Sequence, residues 1–358
     1  MGISEKSPYD NLPAHAFWRT GVTEQPFDAI PQLYQRKFPI DRTMKIATAG
    51  SCFAQHIARH LRMRKFSVID EEPAPPGLDP EDAQRFGYGL YSARYGNIYT
   101  ARQLLQLAQE AGGIITPADA IWEKNGRFYD ALRPSVEPAG LPSPDHVRDH
   151  RAHHLKCVDH VLRTADVFIF TLGLTETWEH APSGTVYPTA PGTIAGKFNP
   201  AVYRFRNYKF RHVYRDLEDF FDLCKKINPG IKFLLTVSPV PLVATASGEH
   251  VLRATTYSKS LLRTAAGQFY QERDDVDYIP SYEMIMGSPS RAAFFEDNLR
   301  TVRSEGVEAV MKMFFSEHDD SADAEQPIES APPRDNQATE DSNEDLVCEE
   351  VLLEAFAP

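Results

Sequence analysis

Cysteine is scarce in this chain, four in 358 residues. Cys52, Cys157, Cys224 and Cys348 stand at unrelated spacings with no C-x-x-C pair. That argues against a disulfide framework and for a reducing compartment. Long apolar runs are missing too: none approaches the ~18 residues needed to span a bilayer. The opening MGISEKSPYD has no apolar core of a secretory signal, and Lys6 stands where a myristoylation motif has Ser or Thr. A soluble, intracellular, cytoplasmic protein with no membrane span is expected, and no internal repeat is visible.

An excess of one charge is also missing from most of the chain, despite a net charge of −12. Residues 317–358 hold fourteen Asp or Glu against a single Arg334, a net −13 that leaves +1 for residues 1–316. The body is therefore near neutral and the acidity belongs to a tail. From Glu317 to Asp345 the only apolar side chain larger than alanine is Ile328, so nothing there offsets the entropy of ordering. The expected organisation is an N-terminal arm (1–43) packed on the domain through Phe17, Trp18, Phe27, Tyr34 and Phe38, one domain (44–316), and a disordered acidic tail (317–358) whose LVCEEVLLEAF end is either a short amphipathic helix or a docking segment.

What is present is a regular alternation of apolar runs and amphipathic stretches. KIATA (45–49), FSVID (66–70), DVFIFTL (166–172), IKFLLTV (231–237) and VDYIP (276–280) read as strands. Helices are expected over about 54–65, 101–110, 145–163, 215–227, 254–271 and 304–315, with Asn228-Pro229-Gly230 as a helix stop. Strands alternating with helices indicate an α/β fold, a parallel sheet of about five strands covered on both faces.

Ligands of such sheets bind beyond the carboxyl ends of the strands. This selects Gly50-Ser51-Cys52, Gly173 to Glu176, Ser238 to Pro241 and Ser281 to Glu283. At Ser51, Gly50 permits a tight turn and the helix N-terminus offers N–H donors to an oxyanion. An isolated serine at such a turn is more often a helix N-cap.

The run is not isolated. GSCFAQHIARHL after a strand, then YGNIYT, TLGLTETW, TVSPVPL, YSKSLLR and IPSYE in this order, resemble the GSCFA-domain family over roughly Asn11 to Phe315. That family is regarded as a branch of the SGNH/GDSL-like hydrolases. The resemblance implies a flavodoxin-like three-layer α/β/α domain with Ser51 as nucleophile. It puts Gly96 and Asn97 in the block that supplies oxyanion contacts, Asn97 acting with the Ser51 N–H. Gly173, Thr175 and Glu176 fall where many relatives have Gly followed by Asn. Glu176 donates a hydrogen bond only when protonated, so Thr175 is the better substitute.

A serine nucleophile needs a base. In the wider superfamily an Asp, with a His three residues later, precedes the last helix. Here Asp297 is present but Arg300 takes the histidine position, and arginine is no base at neutral pH. His250, in a loop leaving a strand's carboxyl end, is the replacement, with Asp297 or Glu249 orienting it; a surface histidine without a catalytic role is the competing reading. His56 is expected to point away from Ser51.

The remaining features have plainer readings. His146, His150, His153 or His154, Cys157 and His160 form a stripe that could hold a metal, but an ordinary helix face is preferred, and neither metal nor cofactor is expected. Basic and aromatic residues interleave from Arg204 to Arg215, and a basic run follows Ser51 from Arg59 to Lys65. With the body near neutral, no nucleic-acid partner is expected. The loop from Trp178 to Asn199, with Tyr187 and Phe198, is either a sugar-binding wall or self-packed. The family resemblance, with Ser51 at its turn, implies a serine esterase acting on acyl, chiefly acetyl, esters, borne by a carbohydrate on family analogy alone. The alternatives are an O-acyltransferase of polysaccharide metabolism and a non-catalytic glycan-binding scaffold.

Overall fold

The apolar runs become strands whose alternate residues enter two different cores. In β1 (Ile46–Gly50), Ala47 and Ala49 face one core and Ile46 the other. The computed structural model describes residues 7–319 and 349–357. After β1 come α1 (Phe53–Met63), α2 (Pro80–Arg85), α3 (Ala101–Ala111), β2 (Ile121–Lys124), β3 (Arg127–Asp130) and α4 (Pro144–Thr164). Then follow β4 (Val167–Leu172), β5 (Glu176–His180), β6 (Val186–Tyr187), β7 (Tyr203–Asn207), α5 (Phe210–Ile227) and β8 (Lys232–Val237). The last described elements of the body are α6 (Val251–Glu272), β9 (Val276–Tyr278), α7 (Ser281–Met286) and α8 (Ser304–His318).

β1, β4, β8 and β9 form a four-stranded parallel sheet in that order. Phe168, Phe170, Phe233 and Leu235 point to the side covered by α3, α4, α5 and α6. Val167, Ile169 and Leu234 point to the side covered by α1, α7 and α8. This is a three-layer α/β/α architecture, and each core phenylalanine contributes about 1.5–3 kcal/mol by leaving water. Helix ends follow local chemistry. Ser143 caps α4 by accepting the His146 N–H, with Pro144 in the first turn. Past the end of α5, the Asn228 side chain donates to the Leu162 and Ala165 carbonyls at the end of α4.

The expected second strand at 66–70 is reduced to one parallel bridge, Ile46 to Val68. The reason is that three separate segments share the outer edge of β1. Ile69 N–H donates to Ile46 O, Ser92 N–H to Thr48 O, and Ile98 N–H to Gly50 O. The bridge still lies outside β1, so the chain visits one side of β1 before crossing to β4 on the other. Such a reversal is where ligands of open parallel sheets bind, and Ser51 and Gly173 lie at this point, at the carboxyl ends of β1 and β4.

Two small antiparallel units were not anticipated. β2 and β3 form a hairpin turning at Asn125-Gly126, both with positive φ, and Asn-Gly was the available signal. β6, β5 and β7 form a second sheet in which Trp178 pairs with Phe205 and Tyr187. Phe198 stacks edge-on against Trp178, so much of the Trp178–Asn199 loop's aromatic surface packs on itself.

The arm divides. Tyr34, Phe38 and Ile40 are buried in the core under α8, whereas Phe17, Trp18 and Phe27 remain 40–68% exposed. Burial therefore begins nearer to β1 than the aromatic pattern implied. Residues 320–348, with Cys348 and most of the expected tail, lie outside the described residues; Glu349–Phe356 forms a 3-10 helix. No described helix is long and apolar enough to cross a membrane.

Candidate active site at the end of the first strand

Gly50 closes β1 at φ +143°, where an added Cβ would stand 2.6 Å from the Thr171 carbonyl oxygen. Only glycine fits that approach. Ser51 follows, 3% exposed, with its backbone held on three sides. Its N–H donates to Thr171 O (3.3 Å), and its carbonyl accepts from Ala54 N–H (2.8 Å) and from the Tyr91 hydroxyl (3.2 Å). Its Oγ, by contrast, is buried with no hydrogen-bond partner among the described residues. The N-cap of α1 is Cys52, and no side chain caps that helix. The capping explanation of Ser51 therefore does not apply.

The YGNIYT segment packs beside this turn. Gly96 turns the chain at φ +68°, and Thr100 caps α3 by accepting the Gln103 N–H. Asn97 is 2% exposed, and its Oδ1 accepts from the Tyr91 hydroxyl (2.5 Å) and from Gln55 Nε2 (3.4 Å). Occupying the oxygen fixes which end of the amide donates. Gln103 Nε2 donates to Asn97 O, and the N–H groups of Gly173 and Leu174 both donate to Tyr99 O. The turns after β1 and β4 are thereby tied into one block. An added Cβ on Gly173 would lie 2.9 Å from Ser51 Cβ, so this glycine is what lets the two turns touch.

The donors differ from expectation in two respects. The Ser51 N–H, assigned to the oxyanion, is spent on Thr171 O. The Thr175 hydroxyl is spent as well: it donates to Asn207 Oδ1 (2.8 Å), while the Thr175 N–H donates to Ser258 Oγ (3.0 Å). Glu176 accepts from Thr245 (2.8 Å) and Asn207 (3.4 Å), and burial raises its carboxyl above the usual range against the Thr245 bond.

The proton-transfer residues are not brought to Ser51. His250 caps α6, and its exposed ring accepts the Leu252 N–H at Nδ1 (3.1 Å). With Nδ1 an acceptor, the neutral ring carries its proton on Nε2, which then cannot take another from serine. Glu249 pairs with Arg253 (2.7 Å). Asp297 is fully solvent-exposed, 4.0 Å from Arg303, on a tight turn where the Asn298 side chain accepts the N–H groups of Arg300 and Thr301. His56 is buried edge-on against Phe53, and burial, with Arg59 and His60, holds its imidazole down at about 3.

Lys259 was missed. It is 1% exposed and its Nζ donates to Gly173 O (2.7 Å). The signal was a lysine on the inward face of a helix, within YSKSLLR. The histidine stripe on α4 resolves differently from a metal face. His154 is wholly buried against Glu72 (2.5 Å), and His146, His150, His153 and His160 are exposed. Among the described residues, Glu72, His153 and Cys157 bring ligand atoms within 4.8 Å of one another. Glu72 is already held by His154, by the Arg94 N–H and by Arg133. In the basic segment, Arg204 and Arg206 both pair with buried Glu179.

An open parallel sheet with a buried serine at its topological switch point defines an α/β protein with a strand-end site. The GSCFA family model matches residues 45–314, and the chain belongs to the GSCFA family. A comparison with curated proteins finds no match. Among solved structures, an acetyl esterase mutant with acetate ion shows 11% identity and a TM-score of 0.33, covering 75% of this chain and 92% of that one. A carbohydrate esterase family 3 protein from Talaromyces cellulolyticus shows 10% identity and a TM-score of 0.35, covering 76% and 94%.

Proposed function

We propose that this protein is a serine-dependent esterase or O-acyltransferase that forms an acyl-enzyme on Ser51. The observation that carries the reading is the state of the Ser51 hydroxyl. It is buried at the strand end, its backbone is fixed by three hydrogen bonds, and its Oγ is bonded to no described protein group. A buried hydroxyl left without a partner costs about 1–3 kcal/mol, and alanine would fill the position without that cost. The acetyl group and the carbohydrate that bears it follow from the resemblance of the sequence blocks to SGNH-like hydrolases.

In this reading Ser51 Oγ attacks the ester carbonyl and the alcohol leaves. The acyl group then passes to water in hydrolysis or to a sugar hydroxyl in transfer. Asn97, with its carbonyl end held by Tyr91 and Gln55, donates to the developing oxyanion. Gly96 and Gly173 shape the turns beside Ser51, and Thr175 and Glu176 order the β5 side. His250 receives the serine proton after releasing the Leu252 N–H, with Asp297 as its provisional orienting acid. A second reading is favoured by two observations: no base among the described residues hydrogen-bonds to Ser51 Oγ, and Asp297 faces solvent. In that reading the protein binds an ester or glycan without turning it over.

The test uses the full chain and Ser51→Ala with p-nitrophenyl acetate and with acetylated glycans. Turnover by the wild type that Ser51→Ala lacks supports the enzyme. Equal turnover by both removes Ser51 from the mechanism. Binding of an acetylated glycan without turnover selects the second reading.

A further inference from the structure

Most histidines of α4 stand apart in solvent, but one turn of that helix faces a carboxylate from another part of the chain. His153 and Cys157 are four residues apart on α4 and project from the same side. Cys157 Sγ lies 3.6 Å from His153 Nε2, and neither atom has another hydrogen-bond partner among the described residues. A sulfur at ~2.3 Å and a nitrogen at ~2.0–2.1 Å from one tetrahedral ion stand about 3.6 Å apart. Glu72 brings a carboxylate oxygen within 4.8 Å of both atoms. Its Oε2 accepts from His154 Nδ1 and from the Arg94 N–H, whereas Oε1 has only the Arg133 guanidinium at 3.6 Å among the described residues. The two bonds on Oε2 orient the carboxylate and leave it lone pairs to donate.

We propose that Glu72, His153 and Cys157 form a binding site for one divalent transition-metal ion of the zinc class. A thiolate and an imidazole select such ions over magnesium and calcium, which take oxygen ligands. A side-chain shift of about 1 Å closes the three atoms to bonding distances. Glu72 and Cys157 are buried and His153 is exposed, so the ion enters past His153 and a water takes the fourth position. Binding exchanges the Cys157 thiol proton for the ion, and one proton is released. His154 serves as the carboxylate's buried partner rather than as a ligand. The histidine stripe alone could not show this set, because Glu72 comes from a distant part of the chain. Arg94, whose N–H holds Glu72, leads into Gly96 and Asn97, and the Tyr95 ring packs edge-on against His154. The ion therefore ties α4 to the segment beside Ser51. Its role is structural, and no step at Ser51 passes through it.

The experiment is titration of the untagged full-length protein, stripped by a chelator and kept reduced, with Co²⁺, whose bond to a thiolate gives a charge-transfer band in the near ultraviolet. Wild type, Cys157→Ser, His153→Ala and Glu72→Gln are compared, Zn²⁺ is then added to displace Co²⁺, and thermal melting of the stripped proteins checks folding. The expected result is a saturable band at one Co²⁺ per chain that Cys157→Ser lacks. Affinity should fall about tenfold or more in His153→Ala and in Glu72→Gln. Zn²⁺ should displace Co²⁺ and raise the melting temperature of the wild type but not of Cys157→Ser. No band in the wild type overturns the site. A band that persists in Cys157→Ser belongs to another cysteine and overturns it as well. Unchanged affinity in His153→Ala or Glu72→Gln leaves a thiol binding cobalt without the other ligands, which also overturns it. Should Glu72→Gln not fold, Cys157→Ser and the exposed His153→Ala decide by the same criteria.

Discussion

The nucleophile's half of the proposed site and its proton-transfer half are built very differently. Around Ser51, the turns after β1 and β4 and the Asn97 segment are joined by buried hydrogen bonds through Thr171, Tyr91, Gln55, Gln103 and Tyr99. Around His250 and Asp297 there is one capping bond, one distant ion pair and open solvent. The difference teaches that the fold itself fixes Ser51, the proposed nucleophile, because it lies where two parallel strands end side by side. Proton transfer is left to a loop and a surface turn, which the sheet does not constrain.

Predictions that break or sharpen this contrast can be ranked by size. The largest effect belongs to the rigid half. Gly173→Ala places a methyl 2.9 Å from Ser51 Cβ and 3.1 Å from Tyr99 O. It should abolish labelling of Ser51 by an alkyl fluorophosphonate and cost about 1–3 kcal/mol, read together by labelling kinetics and urea unfolding. An unaltered labelling rate would mean the two turns need not touch.

Next in size is the half around His250 and Asp297. His250→Asn keeps the α6 cap and removes the imidazole, whereas His250→Ala removes both. If His250 takes the serine proton, both variants lose about 100-fold in esterase rate, and only alanine also loses about 1 kcal/mol of stability. A stability loss in alanine alone, at unchanged rate, reduces His250 to a cap.

Acid stability comes third. Burial, with Arg59 and His60, holds His56 down at about 3; burial and Arg36 do the same for His318; burial and Arg133 hold His154 at about 4. Each unfolded imidazole binds a proton near pH 6.5 that the folded one refuses. Their contribution is therefore complete above about pH 6.5 and is lost as pH falls toward 4, at about 1.4 kcal/mol per pH unit for each. The melting temperature should fall steadily from pH 7 to 5, less steeply in His56→Gln. A flat profile would contradict it. The smallest effect is Asp297→Asn, where loss of the acid proposed to orient His250 should cost about tenfold in rate at an unchanged melting temperature, since Asp297 is fully exposed. An unchanged rate would remove Asp297 from the proposal.

The sequence carried the half around Ser51 well and the half around His250 and Asp297 poorly, for a physical reason. Four of five expected strands, all the long helices and the Ser51 turn were legible because apolar period and Gly50 act locally. The fifth strand failed because Ile69, Ser92 and Ile98 divide one sheet edge, a tertiary arrangement that FSVID cannot announce. Gly96, Asn97, Gly173, Thr175 and Glu176 do converge near Ser51 or its neighbouring turn. Which of their donors were already spent depended on Thr171, Asn207 and Ser258, distant in sequence. Lys259 lay unread because a lysine in a helix is usually on the surface.

The most direct measurement is acid quenching of the full-length protein during reaction with p-nitrophenyl acetate, followed by peptide mass spectrometry. The account predicts an acetyl group on the peptide containing Ser51, absent from Ser51→Ala. Steady release of p-nitrophenol from a wild type that never carries acetyl on Ser51 would contradict it.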